Sequence, residues 1–333
     1  MAIAAAQSGA DCVRLAGLNA GWCGMTAIVL VVAGTHGNEV NAPWLLMGPP
    51  EVAPPLDSHG LRLRALIGDP EALEAGRRYL DRDLNRSFSS RWLEDPACQD
   101  HEVVRARQLL ALHGPEGAEP AAVVIDLHST TAAMGNSLVV YGRRPADLAL
   151  AALLQDRLGL PVYLHEGDPA QTGYLVERWP CGLVIEVGPV PQGVIRARIV
   201  EQTRLALEQT LASLAAARHG AIRLPRDLVV HRHLRSLDLP RSDDGTIVGI
   251  VHPELQDRDW RQLVPGDPLF LLRDGGIQVC DAVIEGLPGP VCPVFINEAA
   301  YREKGIALSL TCREVWACQG EWRQALLDLA AGL

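Results

Sequence analysis

The feature that most constrains this chain is a set of short, very apolar segments that each carry a histidine or a glutamate at or just past their far end. Ala27-Ile-Val-Leu-Val-Val runs into Ala33-Gly-Thr-His-Gly-Asn-Glu, which contains His36 and Glu39. Ala121-Ala-Val-Val-Ile-Asp-Leu ends at His128, and Gly182-Leu-Val-Ile-Glu-Val-Gly carries Glu186. Apolar, β-branched runs without polar alternation predict strands buried on both faces. Residues 61–67 alternate and predict another strand, closed by Gly68-Asp69-Pro70. Residues 102–112, 148–158 and 194–217 repeat their apolar positions at helical spacing. Strands alternating with helices predict an α/β layered fold whose central sheet is flanked by helices.

The texture changes after about residue 221. Short strands are predicted at 228–231, 246–251, 269–272, 277–279 and 293–296, punctuated by Asp244-Gly245, Pro265-Gly266 and Asp274-Gly275. The expectation is a larger α/β domain over 1–221 and a smaller β-rich domain over 222–333, with a short terminal helix at 322–333 and a loop in the Pro-rich stretch 49–55. With 333 residues, 48% of them hydrophobic, the chain can bury a substantial core.

A formal net charge of -10 without a basic stripe argues against nucleic acid and anionic membrane surfaces as partners. The apolar run 27–33 is far short of the roughly 20 residues that cross a bilayer, and the N-terminus lacks the basic start of an export signal. The expectation is a soluble cytoplasmic protein. Its eight cysteines form no C-x-x-C pair, so free thiols are expected rather than a zinc ribbon or a disulfide framework.

His36 and Glu39, three apart just after a buried strand, fall on one face of a turn. Alone, such a pair is most often a polar strand-to-helix connection. His128 lies past a second strand end, where sites gather in open α/β sheets. Together the three residues make the two-histidine, one-carboxylate set of a catalytic zinc, which keeps a position open for water or substrate. Glu186 interrupts an apolar strand, and a buried carboxylate is expensive unless paired or functional. It predicts either a general base beside the metal or a structural ion pair. The run Arg78-Tyr-Leu-Asp-Arg-Asp-Leu-Asn-Arg86 is either a solvated surface or a cluster in which arginines and Asn85 bind a carboxylate and polarise a carbonyl.

These residues resemble a family. Ala33-Gly-Thr-His-Gly-Asn-Glu, Asp83-Leu-Asn-Arg, Ile125-Asp-Leu-His-Ser-Thr-Thr and Glu186-Val-Gly-Pro-Val-Pro-Gln-Gly-Val are similar to aspartoacylase motifs. So are His252-Pro-Glu-Leu-Gln-Asp-Arg-Asp-Trp, Pro265-Gly-Asp-Pro and Pro293-Val-Phe-Ile-Asn-Glu-Ala-Ala-Tyr, in the family's order. The resemblance implies a zinc carboxypeptidase-like domain with a mixed central sheet and a C-terminal β domain shielding the active-site entrance. It implies one zinc per chain on His36, Glu39 and His128, with Glu186 as catalytic glutamate. Arg78 then polarises the scissile carbonyl, Asn85 and Arg86 grip the substrate's α-carboxylate, and Tyr301 reaches in from the second domain. The implied activity is hydrolysis of N-acyl-L-amino acids, foremost N-acetyl-L-aspartate to acetate and aspartate, in a dimer or tetramer.

The chain departs from the family at two places. Gly68-Asp69-Pro70 replaces an Asn-Pro turn. Before Glu186, where the N-acetylaspartate enzyme has an arginine for the side-chain carboxylate, Tyr174 stands, and Arg178 falls out of frame. Arg178, Arg302 and Lys304 are the candidates to take that arginine's place. The departure admits a preference for N-acyl aromatic or other neutral amino acids. A non-catalytic zinc- or ligand-binding module is the alternative of a different class.

Overall fold

The computed structural model describes residues 27–48, 55–168 and 171–333; the expected loop at 49–54, Cys12 and Cys23 lie outside them. The chain begins with β1 (Ile28–Ala33), α1 (Asn41–Met47), β2 (Leu63–Ile67), α2 (Pro70–Glu74), α3 (Ser90–Leu93) and α4 (His101–His113). It continues with β3 (Ala121–Ser129), β4 (Asn136–Tyr141), α5 (Pro145–Leu158), β5 (Val162–His165), β6 (Cys181–Val187) and α6 (Ala197–Arg218). The remainder contains β7 (Asp227–Leu237), β8 (Gly249–Val251), β9 (Pro268–Leu272), β10 (Ile277–Val279), α7 (Asp281–Ile284), β11 (Val291–Val294), β12 (Leu308–Ala317) and α8 (Gly320–Ala330).

The central sheet is mixed and runs β11-β12-β7-β5-β4-β6-β3-β1-β2. Strands β2, β1, β3 and β6 are parallel neighbours, while β4 runs antiparallel to β6. The three strands that the apolar runs predict, β1, β3 and β6, are adjacent interior strands of its parallel part, and every residue of β1 and β6 is buried. One face is covered by α5, α6 and α8, which share a core with Val29, Val31, Ile125 and Leu183. The opposite face packs against Leu84, Phe88, Leu109 and Trp179. This is the expected α/β architecture with helices on a mixed sheet.

Residues beyond 221 do more than form short strands. The segment expected at 228–231 is the start of the eleven-residue β7, and β12, which the sequence pattern did not reveal, pairs with it along its whole length. β7 in turn pairs in parallel with β5 through Tyr163–His231 and Leu164–Arg232, so one sheet continues through both halves of the chain. Along β7, Leu228, Val230 and His233 are buried while Val229, Arg232 and Leu234 are half-exposed. The separate sheet β8–β9–β10 has its own core around Val251, Leu269 and Phe270. The terminal helix is present as α8. Its Trp322, Leu326 and Ala330 belong to the core beneath the main sheet, not to the β-rich part. No helix among the described residues is long and apolar enough to cross a membrane, and the described cysteines are free thiols.

Close backbone contact sets the loop after β1. Gly34 has φ +64°, and a Cβ at Gly37 would lie 2.1 Å from the Ala72 carbonyl carbon. Glycine removes both penalties and seats the His36–Glu39 turn directly on α2.

Leu326 is fully buried between α8 and the sheet. Replacing it with alanine is expected to cost about 2–5 kcal/mol through lost burial and cavity formation. Urea unfolding of the variant measures this; an unchanged midpoint would show that α8 does not support the main core.

Candidate metal and acyl-binding site

Strand register gathers the site. Ala33 of β1 is opposite Leu127 of β3, and His128 of β3 is opposite Glu186 of β6. The ends of β1, β3 and β6 thus open at one edge of the parallel part of the sheet, where α/β folds place their sites. His36 Nδ1 lies 2.6 Å from Glu39 Oε1, and His128 Nδ1 lies 3.1 Å from Glu39 Oε2. Ligand atoms of His36, Glu39 and His128 all fall within 4.8 Å of one another, on three buried residues.

Each histidine is held from behind by a carboxylate. Asp83 Oδ1 is 2.9 Å from His36 Nε2, and Asp126 Oδ2 is 2.7 Å from His128 Nε2. Asp126 is itself fixed by the Thr35 hydroxyl, which donates to Oδ1 at 2.6 Å. Each histidine turns Nδ1 towards Glu39 and Nε2 towards an outer carboxylate, the arrangement in which outer carboxylates orient metal-binding imidazoles, and Arg78 Nη2 also lies 2.8 Å from His36 Nε2. The buried carboxylates Glu39, Asp83 and Asp126 sit beside the imidazoles, and Arg78 and Lys304 pair with two of them, Arg78 with Glu39 and Asp83 and Lys304 with Asp83. The donor set and its convergence fit a divalent cation.

Burial works to raise the pKa of Glu39, but the His36 and His128 imidazoles hold it well below the ordinary carboxylate value. Burial likewise opposes ionisation of Asp83, yet Arg78 and His36 keep it well below its usual value. Burial disfavours charge on His128, and Asp126 and Glu39 outweigh it, raising that pKa well above the usual imidazole value. Glu186 goes the other way. Burial pushes it well above the usual range; His128 opposes the shift, while Glu39 and Glu298 add to it. No ion pair to Glu186 is found among the described residues, so it is not the structural salt bridge that the sequence left open.

The cavity in front of these groups has a volume of about 540 Å³ including its mouth. His36, Glu39, Arg78, Asn85, Arg86, His128, Glu186 and Tyr301 all line it, so these eight sequence-predicted residues converge there. Arg78 lies 3.3 Å from Glu39 and 3.2 Å from Asp83. Asn85 Oδ1 accepts the Leu175 amide at 2.8 Å, which leaves its amide N–H groups to the cavity. Arg86 donates to the Asn85 carbonyl at 2.8 Å and to Gln171 at 2.9 Å, and stacks 4.1 Å from the Tyr174 ring centre.

Beyond Arg86 the wall is aromatic. Tyr141 and Tyr174 stack with ring centres 3.9 Å apart, and Tyr163, His165 and Phe295 complete this side of the cavity. Arg178 is turned away, donating to the Phe88 carbonyl at 2.6 Å and to Ser90 at 3.0 Å. Arg302 is exposed, and Lys304 lies 3.2 Å from Asp83; neither lines the cavity. Tyr174, in contrast, does line it.

Tyr301 sits on a 3-10 turn, Ala299–Lys304, tied down by Glu298. The Glu298 carboxylate accepts hydrogen bonds from the Thr130 hydroxyl and, at 2.8 Å, from the Thr131 amide. Tyr79 reinforces the closure by donating to Glu303 at 2.6 Å.

Sequence reasoning did not single out Asp83, Asp126, Glu298 or His165. The signal for Asp126 was present, because it interrupts an apolar strand as Glu186 does. Asp83 was hidden in a charged run, and no pattern marked His165 at the end of the short β5.

Two family models match the chain. The succinylglutamate desuccinylase/aspartoacylase catalytic domain covers residues 26–214, and the AstE/AspA barrel-sandwich hybrid domain covers residues 226–313. The chain belongs to the succinylglutamate desuccinylase/aspartoacylase family, whose members are hydrolases. It is 58% identical over 301 residues to a probable aspartoacylase of Prochlorococcus marinus (strain MIT 9313), covering 90% of this chain and 97% of that one. A probable aspartoacylase of Synechococcus sp. (strain CC9605) is 59% identical over 303 residues, covering 91% and 98%. Among solved structures, murine aminoacylase 3 is 35% identical with a TM-score of 0.73, covering 88% of this chain and 97% of that one. The succinylglutamate desuccinylase of Chromobacterium violaceum shares the fold at 19% identity and TM-score 0.55, with 87% and 85% covered.

Asp126→Ala is expected to lower divalent-metal affinity roughly 10–100-fold by freeing the His128 ring. Competition with a chromogenic chelator measures it, and unchanged affinity would remove Asp126 from the metal site. A second expectation concerns pH. Burial, reinforced by His233 and Arg86, depresses His165 to about 4. Between the ordinary value of about 6.5 and that lower value the unfolded chain binds a proton that the folded chain refuses, so stability falls as pH drops through this window. Denaturant unfolding of wild type and His165→Gln at several pH values tests this: the wild type should lose more stability than the variant, and parallel curves would contradict it.

Proposed function

We propose that this chain is a zinc-dependent amidohydrolase that deacylates N-acyl-L-amino acids. The carrying observation is the convergence of the His36 and His128 Nδ1 atoms on Glu39 with Glu186 in the adjacent register position. Bound by His36, Glu39 and His128, one zinc per chain supplies Lewis-acid polarisation and makes water more acidic. Glu186 takes a proton from the attacking water and returns it to the departing amide nitrogen, a cycle suited to a carboxylate whose pKa is raised. Arg78, held in place by Glu39 and Asp83, donates to the amide oxygen as negative charge grows there. Asn85 and Arg86 bind the α-carboxylate, and the Arg86 guanidinium is prepositioned by Gln171 and the Tyr174 ring. Tyr301 closes the substrate pocket from the C-terminal half. A general base and an oxyanion-stabilising arginine go unused in a non-catalytic binding module.

The side-chain wall supports a neutral, aromatic N-acyl amino acid. Tyr141, Tyr163, Tyr174 and Phe295 offer stacking surface, and Arg178, Arg302 and Lys304 do not present a cation to the cavity. N-acetyl-L-aspartate is the second reading, favoured by the names of the relatives at 58–59% identity. Acetate release from N-acetyl-L-tyrosine and N-acetyl-L-aspartate by zinc-loaded protein, with and without chelator, distinguishes them. Faster, chelator-sensitive release from the tyrosine substrate is expected; the reverse preference selects aspartate, and no release from any N-acyl amino acid rejects the enzyme. Glu186→Gln should retain zinc and lower kcat by about 10²–10⁴-fold. A variant with near-normal kcat would reject the role given to Glu186.

A further inference from the structure

A second group of metal-ligand type lies outside the cavity. Asp69 precedes α2, Glu71 lies in its first turn, and His101 begins α4; their ligand atoms fall within 4.8 Å of one another. None of the three lines the cavity just described. Asp69 Oδ1 lies 3.1 Å from His101 Nε2, and Glu71 Oε2 lies 3.3 Å from the same nitrogen. These separations match the ligand–ligand edge of a tetrahedral zinc site, about 3.3 Å for bonds of about 2.0–2.1 Å.

An independent observation points to a missing partner. Asp69 is 0% exposed, yet among the described residues its Oδ2 has no hydrogen-bond partner. Its Oδ1 already accepts the Ala72 amide at 3.0 Å. Arg105 is turned to the Gly68 and Ile67 carbonyls at 2.7 and 2.9 Å. A buried carboxylate oxygen left unpaired costs free energy that a cation would offset.

We propose that Asp69, Glu71 and His101 form a second divalent-cation site, suited to zinc or a similar ion that accepts both imidazole and carboxylate ligands. Glu71 is exposed and His101 partly so, which leaves the solvent side for a water ligand. The ion would be structural. Asp69 N–H donates to the Gly34 carbonyl at 3.0 Å, and a Cβ on Gly68 would lie 2.8 Å from Thr35 Cα. A cation binding Asp69 and His101 therefore fastens the start of α4 to the support of the turn that carries His36 and Glu39.

The test is zinc stoichiometry of the metal-stripped full chain at neutral pH, read by equilibrium dialysis with elemental analysis. Wild type should bind two zinc ions per chain. Asp69→Asn, in which asparagine can still cap α2, and His101→Gln should each bind one. His128→Gln should lose the other ion, which separates failure of this site from failure of the site in the cavity. Should Asp69→Asn not fold, His101→Gln and Glu71→Gln, on the exposed side, carry the comparison. One zinc in wild type, or two retained in His101→Gln, overturns the proposal.

Discussion

The site rests on two buried carboxylate–imidazole pairs, Asp83 with His36 and Asp126 with His128, that meet on Glu39. Each pair is desolvated, and a desolvated charge is tolerated only when its partners are fixed. Fixing them requires the rest of the fold: Asp126 must sit on the central strand β3 under Thr35, and Asp83 must be delivered by the turn 83–86 packed against the sheet. This geometry, rather than His36, Glu39 and His128 alone, supplies the rigidity that a metal site on these three residues would need.

The same constraint explains the opposite behaviour of neighbouring glutamates. Glu39 and Glu186 are both buried at strand ends, and burial disfavours the charge on each. Glu39 faces two imidazoles and stays ionised, whereas Glu186 faces one imidazole and two carboxylates and binds a proton readily. Environments that drive two carboxylates apart are how a site assigns one to holding charge and the other to moving protons.

The C-terminal half is built into the catalytic half rather than hung beside it. β7 and β12 extend the main sheet, α8 returns to its core, and the turn bearing Tyr301 is clamped to the loop after β3 by Glu298. The cavity therefore has walls from both halves, and its aromatic side is assembled from β4, β5, the Tyr174 segment and Phe295.

The sequence by itself determined the adjacent buried strands β1, β3 and β6, because fully apolar β-branched runs have few other stable fates, and it pointed to His36, Glu39, His128 and Glu186, because each follows or interrupts such a run. It showed less of β4, β5 and β12, which are short or carry polar residues that blur the period. Only the tertiary structure decided that Asp83 and Asp126 stand behind the histidines, that Arg178 turns away while Tyr174 faces the cavity, and that α8 belongs to the main core. Apart from Asp126 and His128, two positions apart on β3, those are contacts between residues tens to hundreds of positions apart, set by strand register and packing, and local patterns of hydrophobicity hold no information about which distant side chain fills a given space.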